Sequence, residues 1–169
     1  VYGIVQQHKG WIEGDSRLGE GAEFHFFLPL ASQQVSPANL PSPGSQTGGI
    51  ETILIVEDEE EIRNILTTLF SRNGYSVLVG EDGKEGLDVY QRKQEQIDLV
   101  LLDLSMPKMS GQEVLAGIRA MDTQTDVIIL TGHTANAGEF PGVRQVIKKP
   151  FRGQELLGAI RNVLDSPLS

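Results

Sequence analysis

The chain has 169 residues, 39% of them hydrophobic, which suffices for a buried core, and it contains no cysteine. A formal net charge of -9 argues against a nucleic-acid grip or an anionic-membrane patch, both of which need clustered Lys and Arg. The missing thiols exclude disulfides, thiolate metal sites and a thiol nucleophile. No apolar run approaches the roughly 20 residues of a membrane span, and the amino end lacks a signal pattern, so a soluble, cytoplasmic chain is expected.

In residues 1–30, Val1, Ile4, Val5 and His8 share one helical face, and Gly10 stands where a helix end favours glycine. Trp11-Ile12 begins a strand, the Gly-, Asp-, Ser- and Glu-rich stretch 14–21 turns, and 22–28 alternates Phe24, Phe26 and Leu28 against Glu23 and His25. One helix and one hairpin cannot enclose a core alone, so this segment reads as the end of a larger domain. Trp11, Phe24, Phe26 and Phe27 are expected in that core. Residues 31–50, ASQQVSPANLPSPGSQTGGI, carry Pro37, Pro41 and Pro43 and no charge, which is linker composition. As a flexible coil this stretch would span roughly 25 Å.

From residue 51 strands alternate with helices. Ile53 to Val56 is a short buried strand, followed by a helix on which Ile62, Ile65, Leu66, Leu69 and Phe70 recur at helical spacing until Asn73-Gly74 ends it. Ser76 to Val79 is the next strand and Gly86 to Lys93 the end of the next helix. Leu99 to Leu102 is a third strand, and a helix over 112–121 is expected to bury Val114, Leu115, Ile118 and Met121. Val127 to Leu130 and the short Gln145 to Ile147 complete the strands, and a last helix carries Leu156, Leu157, Ile160, Val163 and Leu164. Between Thr131 and Lys149 there are several Gly, a Pro and little apolar periodicity, so the helix there should be short or irregular. This alternation implies an α/β domain with a five-stranded parallel sheet covered on both faces. Right-handed crossovers then bring the carboxyl ends of all five strands to one edge, where such folds place their ligands.

The residues just past the strand ends supply that edge with chemistry. The first of these strands ends in Glu57-Asp58-Glu59, the third in Asp103, the fourth in Thr131 and the last in Lys148-Lys149-Pro150. Carboxylates this close repel and raise one another's pKa unless a cation sits among them. Mg²⁺ suits a site with two or three carboxylates and remaining waters. Together with a lysine and a hydroxyl it makes a binding set for a phosphoryl group.

These residues carry a resemblance. Glu57-Asp58, the stretch LLDLSMPKMSG around Asp103, ILTG with Thr131 and KKPF with Lys149 occur in order at the ends of the right strands. Residues 51–165 thereby resemble a response-regulator receiver domain of two-component signalling. The resemblance implies a flavodoxin-like, doubly wound receiver fold in which Asp103 is the phosphoacceptor. It implies that Asp58 and Glu57 hold Mg²⁺ together with Asp103 and the main-chain carbonyl of Ser105, that Thr131 contacts the phosphoryl group, and that Lys149 pairs with it. Lys148 competes for that role, and adjacency to Pro150 favours Lys149. His133, two positions beyond Thr131, lies where the family tunes loss of phosphate. Val146 departs from the family, which often has an aromatic residue there, so the resemblance implies phosphoacceptance but not the usual aromatic switch on the output face.

Residues 1–30 resemble the carboxyl end of a histidine-kinase ATP-binding domain, through Lys9-Gly10-Trp11-Ile12, Gly19-Glu20-Gly21-Ala22-Glu23-Phe24 and Leu28-Pro29. The nucleotide-binding motifs and the phosphorylatable histidine of that family are not in this chain, so ATP is expected only in an intact parent kinase. Whether or not that parent is anchored in a membrane, this fragment is expected to touch none. The expected partner is a phosphohistidine-bearing kinase or phosphotransfer domain, with no nucleic acid. Two other readings stand beside the phosphotransfer one. A phosphorylation-independent interaction module would keep the fold and drop the chemistry, against the full set of acids, Asp103, Thr131 and Lys149. An aspartyl-phosphate phosphatase of the haloacid dehalogenase type wants an acid two positions after its nucleophile, where this chain has Ser105.

Overall fold

The computed structural model describes residues 11–17, 21–27, 48–132 and 137–166. The chain divides into two units, Val1–Ser42 and Pro43–Ser169. The helix expected before Gly10, His133, and the stretch 31–47 lie outside the described residues.

In the first unit β1 (Trp11–Arg17) pairs antiparallel with β2 (Gly21–Phe27), placing Trp11 opposite Phe27 and Arg17 opposite Gly21. Residues 14–17, expected to turn, instead continue the strand, because pairing with Gly21 to Phe24 satisfies their main-chain groups. Trp11 stacks on Phe27 with ring centroids 4.8 Å apart. Within this hairpin three of the four aromatic residues expected in a larger domain's core are uncovered: Trp11 and Phe24 are 56% and 62% exposed, and Phe27 is exposed too, while the Phe26 side chain lies outside what is described. The reason is that two strands form a single layer, and among the described residues of this unit nothing supplies a second one.

The second unit is built on a five-stranded sheet of order β4-β3-β5-β6-β7, every neighbouring pair parallel. Its strands are β3 (Thr52–Val56), β4 (Ser76–Gly80), β5 (Leu99–Asp103), β6 (Asp126–Thr131) and β7 (Gln145–Lys148). Its helices are α1 (Glu60–Arg72), α2 (Gly83–Lys93), α3 (Gly111–Met121) and α4 (Gly153–Asp165). Between β6 and β7 the described residues hold a single 3-10 turn, Ala137–Glu139, in the segment whose Gly and Pro content predicts a short or irregular helix.

Strands buried on both faces have to be apolar in succession, and Ile53 to Val56 of β3 and Leu99 to Leu102 of β5 are. Ile53, Ile55, Leu99, Leu101, Ile128 and Leu130 face a core closed by Leu66 and Phe70 of α1 and by Leu156, Leu157 and Ile160 of α4. Leu54, Val56, Val100, Leu102, Val127 and Ile129 face the opposite core, closed by Tyr90 of α2 and by Val114, Leu115 and Ile118 of α3. Two residues of the expected stripes are not in these cores: Ile65 is 66% and Met121 40% exposed. Each stands at the margin of an apolar arc wider than the face its helix presents to the sheet.

The helix starts are specified locally. Ser110 and Glu113 form a reciprocal capping box on α3, and the Asp82 side chain accepts from the Glu85 amide at the start of α2. The strand edge remote from Asp103 is held by charge. Arg161 of α4 pairs with Glu51 just ahead of β3 and with Asp165, both at 2.8 Å. Gly49 lies against this pair with its amide donating to Asn73 O at 3.2 Å, and a Cβ there would collide with the Glu51 carboxylate and the Arg161 guanidinium.

The hydrogen bond from Arg161 is the main reason the Glu51 carboxyl sits below its ordinary value of 4.5, with burial opposing it. A carboxyl depressed on folding stabilises the fold fully above its unfolded pKa and ceases to as pH falls through its folded pKa. Glu51→Gln should therefore lower stability by about 1 kcal/mol at neutral pH. In thermal melts the gap to wild type should close as the pH is taken below 4.5.

Candidate functional site

Strand register fixes which residues meet at the carboxyl edge. Val56 pairs with Leu102, so Glu57, the next residue out of β3, stands level with Asp103, the last of β5. Asp103 is in turn level with Leu130, and Thr131 with Lys148. Asp103 belongs to the strand rather than following it, and it is 3% exposed. The sheet order passes from β4 and β3 to β5 here, so Glu57-Asp58 and Asp103 flank the point where the winding changes direction, the usual ligand position in such sheets.

Glu57 is fully buried. Its Oε2 accepts a hydrogen bond from Lys149 Nζ at 2.8 Å, and the same ammonium lies 3.2 Å from Asp103 Oδ2. Lys149 reaches inward from the segment after β7, past a cis peptide to Pro150, and its amide donates to Thr131 O at 2.7 Å. Lys148 is exposed, so of the two lysines it is Lys149 whose ammonium lies at the carboxylates. Thr131 ends β6 with 2% exposure, on the same edge. The Ser105 amide donates to Asp103 Oδ1 at 3.3 Å, so the residue expected to offer its carbonyl also orients the Asp103 carboxylate.

The electrostatics leave the cluster short of positive charge. Burial pushes the Glu57 carboxyl up and the negative charge of Asp103 adds to this, while the Lys149 hydrogen bond and charge pull the other way and do not prevail. Burial disfavours the Lys149 ammonium, but its hydrogen bond to Glu57 and the charges of Asp103 and Glu57 outweigh that, holding its pKa above the ordinary lysine value. One ammonium therefore serves two buried carboxylates. Ligand oxygens of Glu57, Asp58 and Asp103 lie within 4.8 Å of one another, and Glu57 Oε1 is buried without a hydrogen-bond partner. An orphaned buried acceptor in an under-neutralised oxygen cluster fits a hard divalent cation such as Mg²⁺.

Two supporting features escaped the motif reading. Gly111, at the start of α3, packs against the main chain of Asp103 and Leu104, and a Cβ there would collide with the Asp103 carbonyl. Arg63 of α1 is 9% exposed and donates to the carbonyls of Glu57 and Asp58 at 2.9 and 3.1 Å. A cation within the Ile62, Leu66, Phe70 stripe is the sequence signal that marks it. Beside the site, Ile62, Ile65, Leu66, Pro150 and Phe151 line an apolar groove of about 490 Å³ that includes Lys149.

Comparison with known proteins gives a consistent picture. The family profile described as "Response regulator receiver domain" matches residues 53–161. Over 98% of its length the chain is 28% identical to the sensor kinase CckA of Brucella abortus, and over 95% it is 31% identical to the sensor histidine kinase AruS of Pseudomonas aeruginosa. It spans 19% and 16% of those two proteins. Among solved structures, the response regulator protein TrrA of Thermotoga maritima, in complex with Mg²⁺-BeF, superposes with a TM-score of 0.61 at 30% identity, covering 67% of this chain and 98% of that one.

Lys149→Met strands the buried Glu57 carboxylate beside Asp103. Urea denaturation in Mg²⁺-free buffer at neutral pH should show a loss of about 3 kcal/mol. In the double variant with Glu57→Gln most of that loss should disappear, and simple additivity of the two substitutions would contradict the pairing.

Proposed function

The chain belongs to the response regulator receiver domain family, and from that premise we propose that it accepts a phosphoryl group from phosphohistidine onto Asp103. The observation that carries this reading is the buried triad of Glu57, Asp103 and Lys149, with the ammonium 3.2 Å from Asp103 Oδ2. A carboxylate held there is a nucleophile in a fixed position, with a cation placed for the oxygens of the arriving group.

In the proposed reaction an Asp103 oxygen attacks phosphorus in line with the leaving imidazole nitrogen. The new O–P bond forms as the N–P bond breaks, leaving an acyl phosphate on Asp103 and the histidine free. Lys149, whose raised pKa keeps it protonated, offsets charge on the transferring oxygens. Thr131, next on the same edge, offers its hydroxyl to the phosphoryl group. Glu57, Asp58, Asp103 and the Ser105 carbonyl would hold Mg²⁺, which when bound neutralises phosphoryl charge through the loose transition state. The Ser105 amide and the packing of Gly111 keep the Asp103 carboxylate from turning away. A protein donor meets the apolar groove beside Lys149, and a phosphohistidine-bearing kinase or phosphotransfer domain fits that need. The added charge on Asp103 should draw Thr131 inward and shift the β6–β7 face, with Val146 in place of an aromatic relay.

Matches that run over nearly all of this chain, to two sensor kinases of which it spans 19% and 16%, support its being part of a hybrid sensor histidine kinase. In this proposal it is the carboxyl-terminal part of that kinase, works in the cytoplasm, and its residues 1–30 close the kinase's ATP-binding domain. Incubation with acetyl phosphate and Mg²⁺, read by intact mass, should add one phosphoryl group to the wild type and none to Asp103→Asn. Equal gains in both would overturn the assignment, and no gain in either would favour the phosphorylation-independent module.

A further inference from the structure

Arg63 is placed where its charge alone would do harm. It is a buried cation one helical turn from a cluster proposed to bind a divalent cation, and like charges repel. Its ion pair is with Glu81 at 3.8 Å, across to the loop after β4, rather than with any carboxylate of the cluster. What it does touch is main chain: one nitrogen, Nη1, donates to the carbonyls of Glu57 at 2.9 Å and of Asp58 at 3.1 Å. Two consecutive carbonyls turned toward one nitrogen fix the two peptide planes between Glu57 and Glu59. Because a trans peptide points its N–H opposite to its C=O, the amides of Asp58 and Glu59 must then face away from Arg63.

We propose that Arg63 is a positioning residue for the divalent-ion site. By holding the carbonyls of Glu57 and Asp58 it sets the direction in which both carboxylates face Asp103, and so sets Mg²⁺ affinity without touching the ion. The proposal rests on the reading of Glu57, Asp58 and Asp103 as metal ligands. Geometry and charge make opposite demands here. If Arg63 acted only through its charge, removing it would tighten Mg²⁺ binding. If it acts by holding the loop, removing it loosens binding, as the loss of supporting hydrogen bonds behind metal ligands generally does.

The test is a Mg²⁺ titration of the full 169-residue chain followed by amide NMR at Glu57 to Glu59, at a temperature where thermal melts show each variant folded. Arg63→Met, which keeps the apolar stem, should bind Mg²⁺ about tenfold more weakly than wild type. Arg63→Lys, with one ammonium in place of the fork, should fall between the two. Asp58→Asn reports on the metal reading itself and should weaken binding independently of Arg63. Equal or tighter binding by Arg63→Met, with Asp58→Asn weakened, overturns the positioning role alone. If Arg63→Met does not fold, wild-type affinity in Arg63→Lys overturns it instead. Absence of saturable binding by the wild type overturns the metal reading and the proposal together.

Discussion

Burying two carboxylates at one edge of a sheet would cost several kcal/mol for each without a cation to answer them. Lys149 Nζ, at 2.8 Å from Glu57 Oε2 and 3.2 Å from Asp103 Oδ2, is that cation, and the rest of the unit can be understood as what brings it there. The lysine comes from one end of the sheet order and Glu57 from the strand beyond β5, so the ammonium joins strands that do not touch each other. Parallel pairing through β5 and β6 brings their carboxyl ends level. The main-chain bond from the Lys149 amide to Thr131 O then sets where the side chain leaves the backbone.

The bond between lysine and carboxylates is incomplete by design of the surroundings. Glu57 is held above its ordinary pKa despite the lysine, because burial and the Asp103 charge together outweigh one ammonium. Its second oxygen is left with no hydrogen bond. A fully neutralised cluster would be more stable and chemically inert. This one retains a demand for positive charge, which an incoming cation satisfies, and a lysine held protonated for an incoming anion. Arg63, Ser105 and Gly111 lie behind it and act on direction, through two carbonyls, one amide and one close backbone approach.

Much of this was legible in the sequence because apolar runs and polar breaks coincide with the strand ends. Ile53 to Val56, Leu99 to Leu102 and Val127 to Leu130 lie in strands of the structure, and the polar residues just beyond them make up the candidate site. The periodicity could not place Asp103 inside β5, because strand membership there depends on pairing with Leu130, a long-range contact. Nor could it separate Ile65 and Met121 from the buried stripes, since helical spacing gives an arc and only packing decides its margin. Arg63 carries a sequence mark, a cation within the apolar stripe of α1, but that mark does not name its partners, because they are carbonyl oxygens, which every residue carries. The Glu51–Arg161 pair spans most of the second unit and follows from the fold alone. In the first unit the aromatic alternation of β2 foretold the strand correctly, while Phe24 and Phe27 are exposed in the hairpin, whose single layer cannot cover them.

The central claim is that Asp103, the aspartate beside Lys149, is the residue that becomes phosphorylated. Borohydride reduces an acyl phosphate on aspartate to homoserine and so records its position. Protein treated with acetyl phosphate and Mg²⁺, reduced, and mapped by peptide mass should carry homoserine at Asp103 and at no other aspartate. Homoserine at Asp58 or elsewhere, with Asp103 unchanged, would contradict the account.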